Sequence, residues 1–324
     1  MNWKENSSVQ SERPLVIIAG PTASGKSACA VELCRLIGGA VISGDSMQCY
    51  RHMDIGTAKT TPAEQKGVPH ALIDCLEPEE PWNVVLFQQM ARQAYERFYG
   101  QGLIPVLAGG TGFYIRAFLY GTDFTQTAED TAYRKELEEF AKKNGASALH
   151  RMLAEADPVS AGKIHENNIK RVIRALEYYA QTGQPISSHN EEQKKKEPEY
   201  DAVRFLMDPD RKLLYEAIDR RVDIMFENGL VKEVENLKKK GFDRSFQSMQ
   251  GIGYKEILDH LDGKCTLDEA AANIKIASRH YAKRQQTWFY AEKDWIRIDP
   301  AGFSGAEEIA EYMAGIVRKT ILKG

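Results

Sequence analysis

The chain is poor in the features that mark secreted, metal-binding or membrane-embedded proteins. It has five cysteines in 324 residues (Cys29, Cys34, Cys49, Cys75 and Cys265), an odd number with no CxxC spacing. This argues against a disulfide framework or a cysteine zinc site and for reduced thiols in the cytoplasm. The seven histidines form no HxxxH pair, so a histidine metal site is not expected. No apolar run is long enough to cross a bilayer. The opening MNWKENSSVQSER has no apolar core of a secretory signal. A large charge excess is also missing: the formal net charge is −3, so any nucleic-acid binding has to come from local basic patches. No repeat recurs at solenoid periods. The expectation is a cytoplasmic, monomeric protein with no membrane partner.

What is present fits a globular chain with a real core, 43% hydrophobic and 27% charged, and long enough for about two domains. Residues 15–20 read as a buried β-branched strand and 26–37 as a helix stopped by Gly38-Gly39. A second strand is predicted at 40–45, a helix over 83–102, a third strand at 103–110 and a short helix at 113–121. Strands alternating with helices imply a parallel sheet covered on both faces. From 122 to 200 no strand is convincing. Three helical segments there end at Gly or Asp-Pro stops, and EEQKKKEPEY reads as a solvated loop. Strand character returns at 202–208. One or two helices follow over 211–240, then a long helix within 267–293 and a last short strand at 295–299. The fold expected is α/β, a three-layer P-loop fold with a parallel sheet and an all-helical insertion. Residues 1–121 form the first part of the core, 122–200 the insertion, and 201–324 complete the core.

The strongest motif lies between the first strand and the first helix. Gly20-Pro21-Thr22-Ala23-Ser24-Gly25-Lys26-Ser27 satisfies GxxxxGK[ST] in full. Glycines let the backbone wrap an anion with its N–H groups inward, and the helix N-terminus adds a favourable dipole. Lys26 supplies a charge, and Ser27 can ligate Mg²⁺. The loop does not identify its ligand, because kinases, switches and other transferases share the cradle. Asp45 ends the second strand, where ligands sit in open α/β sheets. It can act as a base, bind Mg²⁺ through water, or simply close a strand-end turn. The GGTG of residues 109–112 faces the same crevice, either as a close backbone approach beside the Thr111 hydroxyl or as a plain tight turn.

No acidic residue occurs from Ala270 to Ala291. Lys275, Arg279, His280, Lys283 and Arg284 cluster there with Tyr281, Trp288, Phe289 and Tyr290, a pattern suited to phosphates and stacked bases, or to an amphipathic helix with core aromatics. Lys170, Arg171 and Arg174 form a similar group in the insertion. Arg211, Arg220 and Arg221 follow the fourth strand, as lid arginines on a polyphosphate or as surface residues. From these residues alone, a small-molecule kinase with Asp45 as base stays open. So does a P-loop RNA-binding or switch protein, although neither reading accounts for every feature. A small acceptor needs no basic aromatic helix, and a switch needs no base at Asp45.

Blocks such as GPTASGKS, SGDSMQCYRHMDIGTAK, AGGTGFYIRAFLYG, NNIKRVIRALE, MQGIGYKEI and SRHYAKRQQTWF keep one order over nearly the whole chain. In this the sequence resembles the tRNA dimethylallyltransferases. The resemblance implies transfer of a dimethylallyl group from its diphosphate to N6 of an adenine beside the tRNA anticodon. It also implies that the loop holds the prenyl diphosphate, not ATP. By the same resemblance Asp45 would be the general base, with Thr111 ordering the reacting centre and Arg221 steadying the leaving diphosphate. Gly20 and Thr22 to Ser27 (Thr22, Ala23, Ser24, Gly25, Lys26, Ser27) would hold the diphosphate, with Mg²⁺ near Ser27. Asp45, Ser46, Met47 and Gln48 would meet the tRNA around its target base. Further tRNA contacts would come from Lys170, Arg171 and Arg174, and from Gly251, Gly253, Tyr254 and Lys255 within 249–256. Arg279, Lys283 and Arg284 complete the expected RNA surface. The chain departs from the family pattern at Ala71, Ala217 and Lys170, which shifts diphosphate binding toward Arg221 or Arg211.

Overall fold

A computed structural model describes residues 13–124 and 131–321; the first twelve residues of the polar opening lie outside them. Six strands form one sheet: β1 (Pro14–Ala19), β2 (Gly39–Ser43), β3 (His70–Ala71), β4 (Ile104–Gly109), β5 (Asp201–Met207) and β6 (Ile296–Ile298). Their order is β3-β2-β4-β1-β5-β6, and every neighbouring pair is parallel. All six residues of β1 are buried, as a central strand covered on both faces requires.

Between and after the strands run α1 (Lys26–Ile37), α2 (Pro62–Gln65), α3 (Val84–Gly100), α4 (Gly112–Leu119), α5 (Thr131–Asn144), α6 (Ala146–Ala156), α7 (Pro158–Ala161), α8 (Ile169–Thr182) and α9 (Ile186–Lys194). The remaining helices are α10 (Arg211–Glu227), α11 (Leu230–Lys239), α12 (Tyr254–Leu261), α13 (Leu267–Ala291) and α14 (Ala306–Thr320). On one face of the sheet, Val16, Ile18, Val106 and Phe205 pack with Ala30 and Leu33 of α1 and with Met313 and Val317 of α14. The alternate residues Leu15, Ile17 and Leu107 point the other way. That face is covered by α3 and α4 with buried Phe87, Ala91, Tyr95 and Phe118. The Tyr95 hydroxyl donates to the Pro14 carbonyl at 3.2 Å.

The chain divides into two compact units, Met1–Leu119 with Pro198–Gly324, and Tyr120–Glu197. The second is helical among its described residues. Its core gathers Leu137 from α5, Leu149 and Leu153 from α6, and Val172, Ile173 and Leu176 from α8. Buried Asp157 ties it together, accepting from the main-chain N–H and the hydroxyl of both Ser160 and Ser187 at 2.7–2.9 Å.

Three features differ from the sequence expectation. The two-residue strand β3 is too short to show a period. Helix α14 supplies half of one sheet layer, yet its pattern had no motif to mark it. Residues 191–194 of the expected EEQKKKEPEY loop are the last part of α9, supported by a Lys194–Glu191 pair at 2.8 Å; a charge-rich run can be the exposed side of a short helix.

The parallel strands place their carboxyl ends on one edge, and the loops after β1, β2 and β4 meet there. The meeting is close. The Gly44 N–H donates to the Ala108 carbonyl at 2.8 Å, and a Cβ on Gly109 would overlap the Gly44 backbone. Gly109→Ala is therefore expected to lower stability by about 1–3 kcal/mol through overpacking. Urea unfolding checks this, and an unchanged midpoint would show that the two strand ends can part freely.

Candidate active site

The phosphate loop sits between β1 and α1. Gly25 at the start of α1 has a φ of 85°, and no side chain caps the helix, so its first N–H groups face the hollow of the loop. A Cβ on Gly20 would stand 2.7 Å from the Met207 carbonyl oxygen, so only glycine lets β1 turn there beside β5. Ser24 is buried and its hydroxyl has no hydrogen-bond partner. A buried polar group without a partner is costly, and an anion in the cradle would satisfy it. Lys26 folds over the loop, its Nζ donating to the Pro21 carbonyl at 2.6 Å.

Charge in this cradle is out of balance. Arg221, on α10, donates to the Thr22 hydroxyl. Burial holds the Arg221 guanidinium below its ordinary range, opposed by Asp45. Burial also lowers Lys26 to about 8; Asp45 pulls it up and Arg221 pushes it down. Two cations thus share one carboxylate, and a further negative group is what the site lacks. The sequence expectations for Lys26, Asp45 and Arg221 converge on one cleft.

Asp45 follows β2, with one oxygen accepting the Met47 N–H at 2.8 Å and closing a local turn. The carboxylate is half-buried. Thr111 approaches from β4, its N–H donating to the Gly44 carbonyl at 3.3 Å. Tyr281 of α13 completes this side. Its hydroxyl lies against Thr111 and Gln285 and is pushed up to about 12, first by burial and then by the Asp45 charge, so it stays protonated. The GGTG segment is thus more than a tight turn: Gly109, Gly110 and Gly112 are met by Gly44, Gln285 and the Trp288 ring respectively.

The loop carrying Asp45 is fastened by a residue that the motif reading missed. The Glu233 carboxylate of α11 accepts three successive main-chain N–H groups, from Asp54, Ile55 and Gly56, at 2.8–3.1 Å. It also accepts the Tyr254 hydroxyl at 2.7 Å. Fastened in this way, the Thr57 and Ala58 carbonyls receive the Gln48 amide at 3.5 and 3.3 Å, and Gln48 Oε1 accepts from the Ser43 hydroxyl at 3.2 Å.

The Gln48 side chain is thus hydrogen-bonded within its own loop. Tyr254 is fully buried, its ring against Gly56 and its hydroxyl on Glu233, so its side chain has a packing role. Gly251 lies against Met47 Cε, and Gly253, with a φ of 99°, opens α12. Ser46 and Met47 remain half-buried at the cleft, and Lys255 is half-buried with its amine 3.6 Å from Glu256.

The basic helix is likewise mixed. Arg279 is held by both oxygens of Asp219, a two-point ion pair. Lys283 and Arg284 are exposed, Arg284 lying 5.7 Å from the Tyr281 ring centre. Arg211 is exposed and bonded to the Tyr215 hydroxyl at 3.1 Å. In the second unit, Lys170 and Arg171 are exposed in the first turn of α8, and Arg174 is half-buried. Ser27 is exposed in the first turn of α1. Gln285 was also missed, although it left a signal: it falls on the buried stripe Ser278, Ala282, Phe289 of α13, where a polar residue needs a partner.

A complete phosphate loop on a parallel sheet, with a carboxylate across the cleft and a helical unit inserted in the chain, defines a P-loop group-transfer enzyme. The comparisons with known proteins name the kind. A family model described as isopentenyl transferase matches residues 14–75, and one described as IPP transferase matches residues 48–292. The chain is 52% identical over 312 residues, 96% of its length and 100% of the relative's, to a tRNA dimethylallyltransferase of Lachnoclostridium phytofermentans. It is 48% identical to one from Carboxydothermus hydrogenoformans, over 92% of this chain and 95% of that one. Among solved structures, the tRNA isopentenylpyrophosphate transferase of Bacillus halodurans aligns with a TM-score of 0.70 at 42% identity, covering 95% of this chain and 98% of that one. A eukaryotic dimethylallyltransferase acting on tRNA aligns at 0.79 and 27% identity, covering 96% and 78%. The chain belongs to the tRNA dimethylallyltransferase family and is a prenyltransferase. These likenesses do not favour the kinase reading.

Glu233→Ala would leave three N–H groups and a buried hydroxyl without their acceptor. A loss of about 2 kcal/mol in unfolding free energy is expected, with Tyr254→Phe costing less. A Glu233→Ala midpoint equal to that of the wild type would show that water replaces the carboxylate fully.

Proposed function

We propose that this chain transfers the dimethylallyl group of dimethylallyl diphosphate to N6 of the adenine beside the tRNA anticodon and releases diphosphate. The observation that carries the reading is the cradle's unmet demand for negative charge, the Ser24 hydroxyl with Lys26 and Arg221, facing the Asp45 carboxylate across one cleft. In the reaction the allylic C1–O bond breaks, its electron pair leaving with the diphosphate. The N6–C1 bond forms, and a proton passes from N6 to Asp45. The amine is a weak nucleophile, so clamping the leaving group is the larger lever, with removal of the proton the smaller. Thr111 and Tyr281 border the reacting centre. The target adenine has to leave its stack to enter the cleft. Exposed Lys283, Arg284, Lys170 and Arg171 supply phosphate contacts that strengthen as salt falls.

Mg²⁺ fits the donor set as an ion held mainly by others. No group of three or more acidic, histidine or cysteine side chains converges among the described residues. Mg²⁺ commonly takes one or two protein oxygens and completes its shell with phosphate and water. Ser27 would be the protein ligand, and the ion would neutralise diphosphate charge.

A transfer assay tests the reading. Radiolabel from dimethylallyl diphosphate should enter tRNA that has adenine after the anticodon and no other. Asp45→Asn should lower turnover roughly 10²–10⁴-fold while leaving tRNA binding intact. Label that appears without that adenine, or full turnover by Asp45→Asn, would overturn the assignment.

The lowered Lys26 sets a pH dependence. Below about 8 the amine is charged and ready for the anion; above it, binding has to take up a proton. Donor affinity should therefore fall up to tenfold per pH unit above about 8. Lys26→Arg, which stays charged, should remove the decline, as titration calorimetry at pH 7 to 9.5 would read.

A further inference from the structure

Gln285 of α13 is only 6% exposed, and its side-chain amide bridges two loops of the site. Its Oε1 accepts the Thr22 N–H at 2.8 Å and its Nε2 donates to the Gly110 carbonyl at 2.9 Å. The bridge therefore joins the phosphate loop after β1 to the Thr111 loop after β4, the strand beside it. Only one orientation of the amide satisfies both partners, because a flip would set N–H against N–H and oxygen against oxygen. The approach is possible because residue 110 is glycine; a Cβ there would overlap Nε2. Thr22 is consequently held twice, its main chain by Gln285 and its hydroxyl by Arg221. One turn earlier on the same helix, the Tyr281 hydroxyl rests against Thr111 and Gln285.

We propose that Gln285 is a positioning residue of the donor site, its amide locking the phosphate loop to the Thr111 loop before substrate arrives. This rests on the reading of the cradle as the prenyl-diphosphate site. Donors whose directions are preset need no reorganisation when the leaving group develops its charge. Without the bridge, the Thr22 N–H and the Gly110 carbonyl lose their partners and the two loops can separate. Donor binding and turnover then suffer, while the surface that meets tRNA is untouched.

The test compares Gln285→Met with Gln285→Glu. For the methionine variant, with melting and chromatographic profiles like those of the wild type, about tenfold weaker binding of dimethylallyl diphosphate and about tenfold lower kcat are expected, with the tRNA dissociation constant within about twofold. The glutamate variant supplies a signature that a merely structural role would not move. Ionised, its carboxylate opposes the Gly110 carbonyl and the diphosphate; protonated, it can donate to Gly110 and accept from Thr22 as the amide does. Its donor affinity relative to the wild type should rise as pH is lowered from 8 to 5.5. A folded methionine variant with unchanged donor binding and kcat would overturn the proposal. So would equal loss of donor and tRNA binding, or a glutamate-to-wild-type ratio that stays flat with pH. Failure of the folded wild-type protein to bind dimethylallyl diphosphate would remove the underlying site reading instead, and it is seen before any variant is made.

Discussion

Two cations crowd around one carboxylate at the carboxyl ends of β1 and β2, and the rest of the site is organised around that imbalance. Lys26 and Arg221 are both pushed toward their neutral forms by loss of water, and the Asp45 carboxylate opposes this at both. Such an arrangement is costly while empty and favourable once an anion enters, so the fold stores binding capacity as unmet electrostatic demand.

Holding that arrangement in place takes a second layer of contacts, most of them to backbone. Glu233 grips residues 54–56, Gln48 spans from 57–58 to Ser43, and Gln285 joins the two glycine loops. Each of these side chains satisfies main-chain groups of a loop, and Gln48 also ties its loop to the Ser43 hydroxyl at the end of β2. Long irregular loops expose many such groups, and the segment from Gly44 to Pro69 is long. A few well-placed carboxylates and amides turn it into a rigid wall of the cleft.

Helix α13 shows how one element serves two ends. Its buried stripe carries Gln285 and Phe289 into the core, with Tyr281 beside the cleft, while Lys283 and Arg284 stay exposed. A period of 3.6 turns successive residues by about 100°, so the helix that exposes two cations to solvent also braces the phosphate loop. Arg279 lies between these roles and is paired with Asp219.

The sequence alone determined the phosphate loop, the parallel sheet around it, the helical insertion and the place of Asp45. These depend on local rules: a glycine pattern between strand and helix, apolar runs of strand length, and stops at glycine and proline. The family blocks were legible for the same reason, since they are contiguous. It could not show that Tyr254 and Gln48 turn inward, that Arg279 is paired, or that Glu233 and Gln285 hold the site. For Arg279, Glu233 and Gln285 the partners lie 60 to 263 residues away, and for Gln48 and Tyr254 the decision rests on how an irregular loop folds on itself and against a helix. Only the tertiary structure decides them, because a polar side chain looks alike in sequence whether it meets solvent, substrate or a buried peptide group.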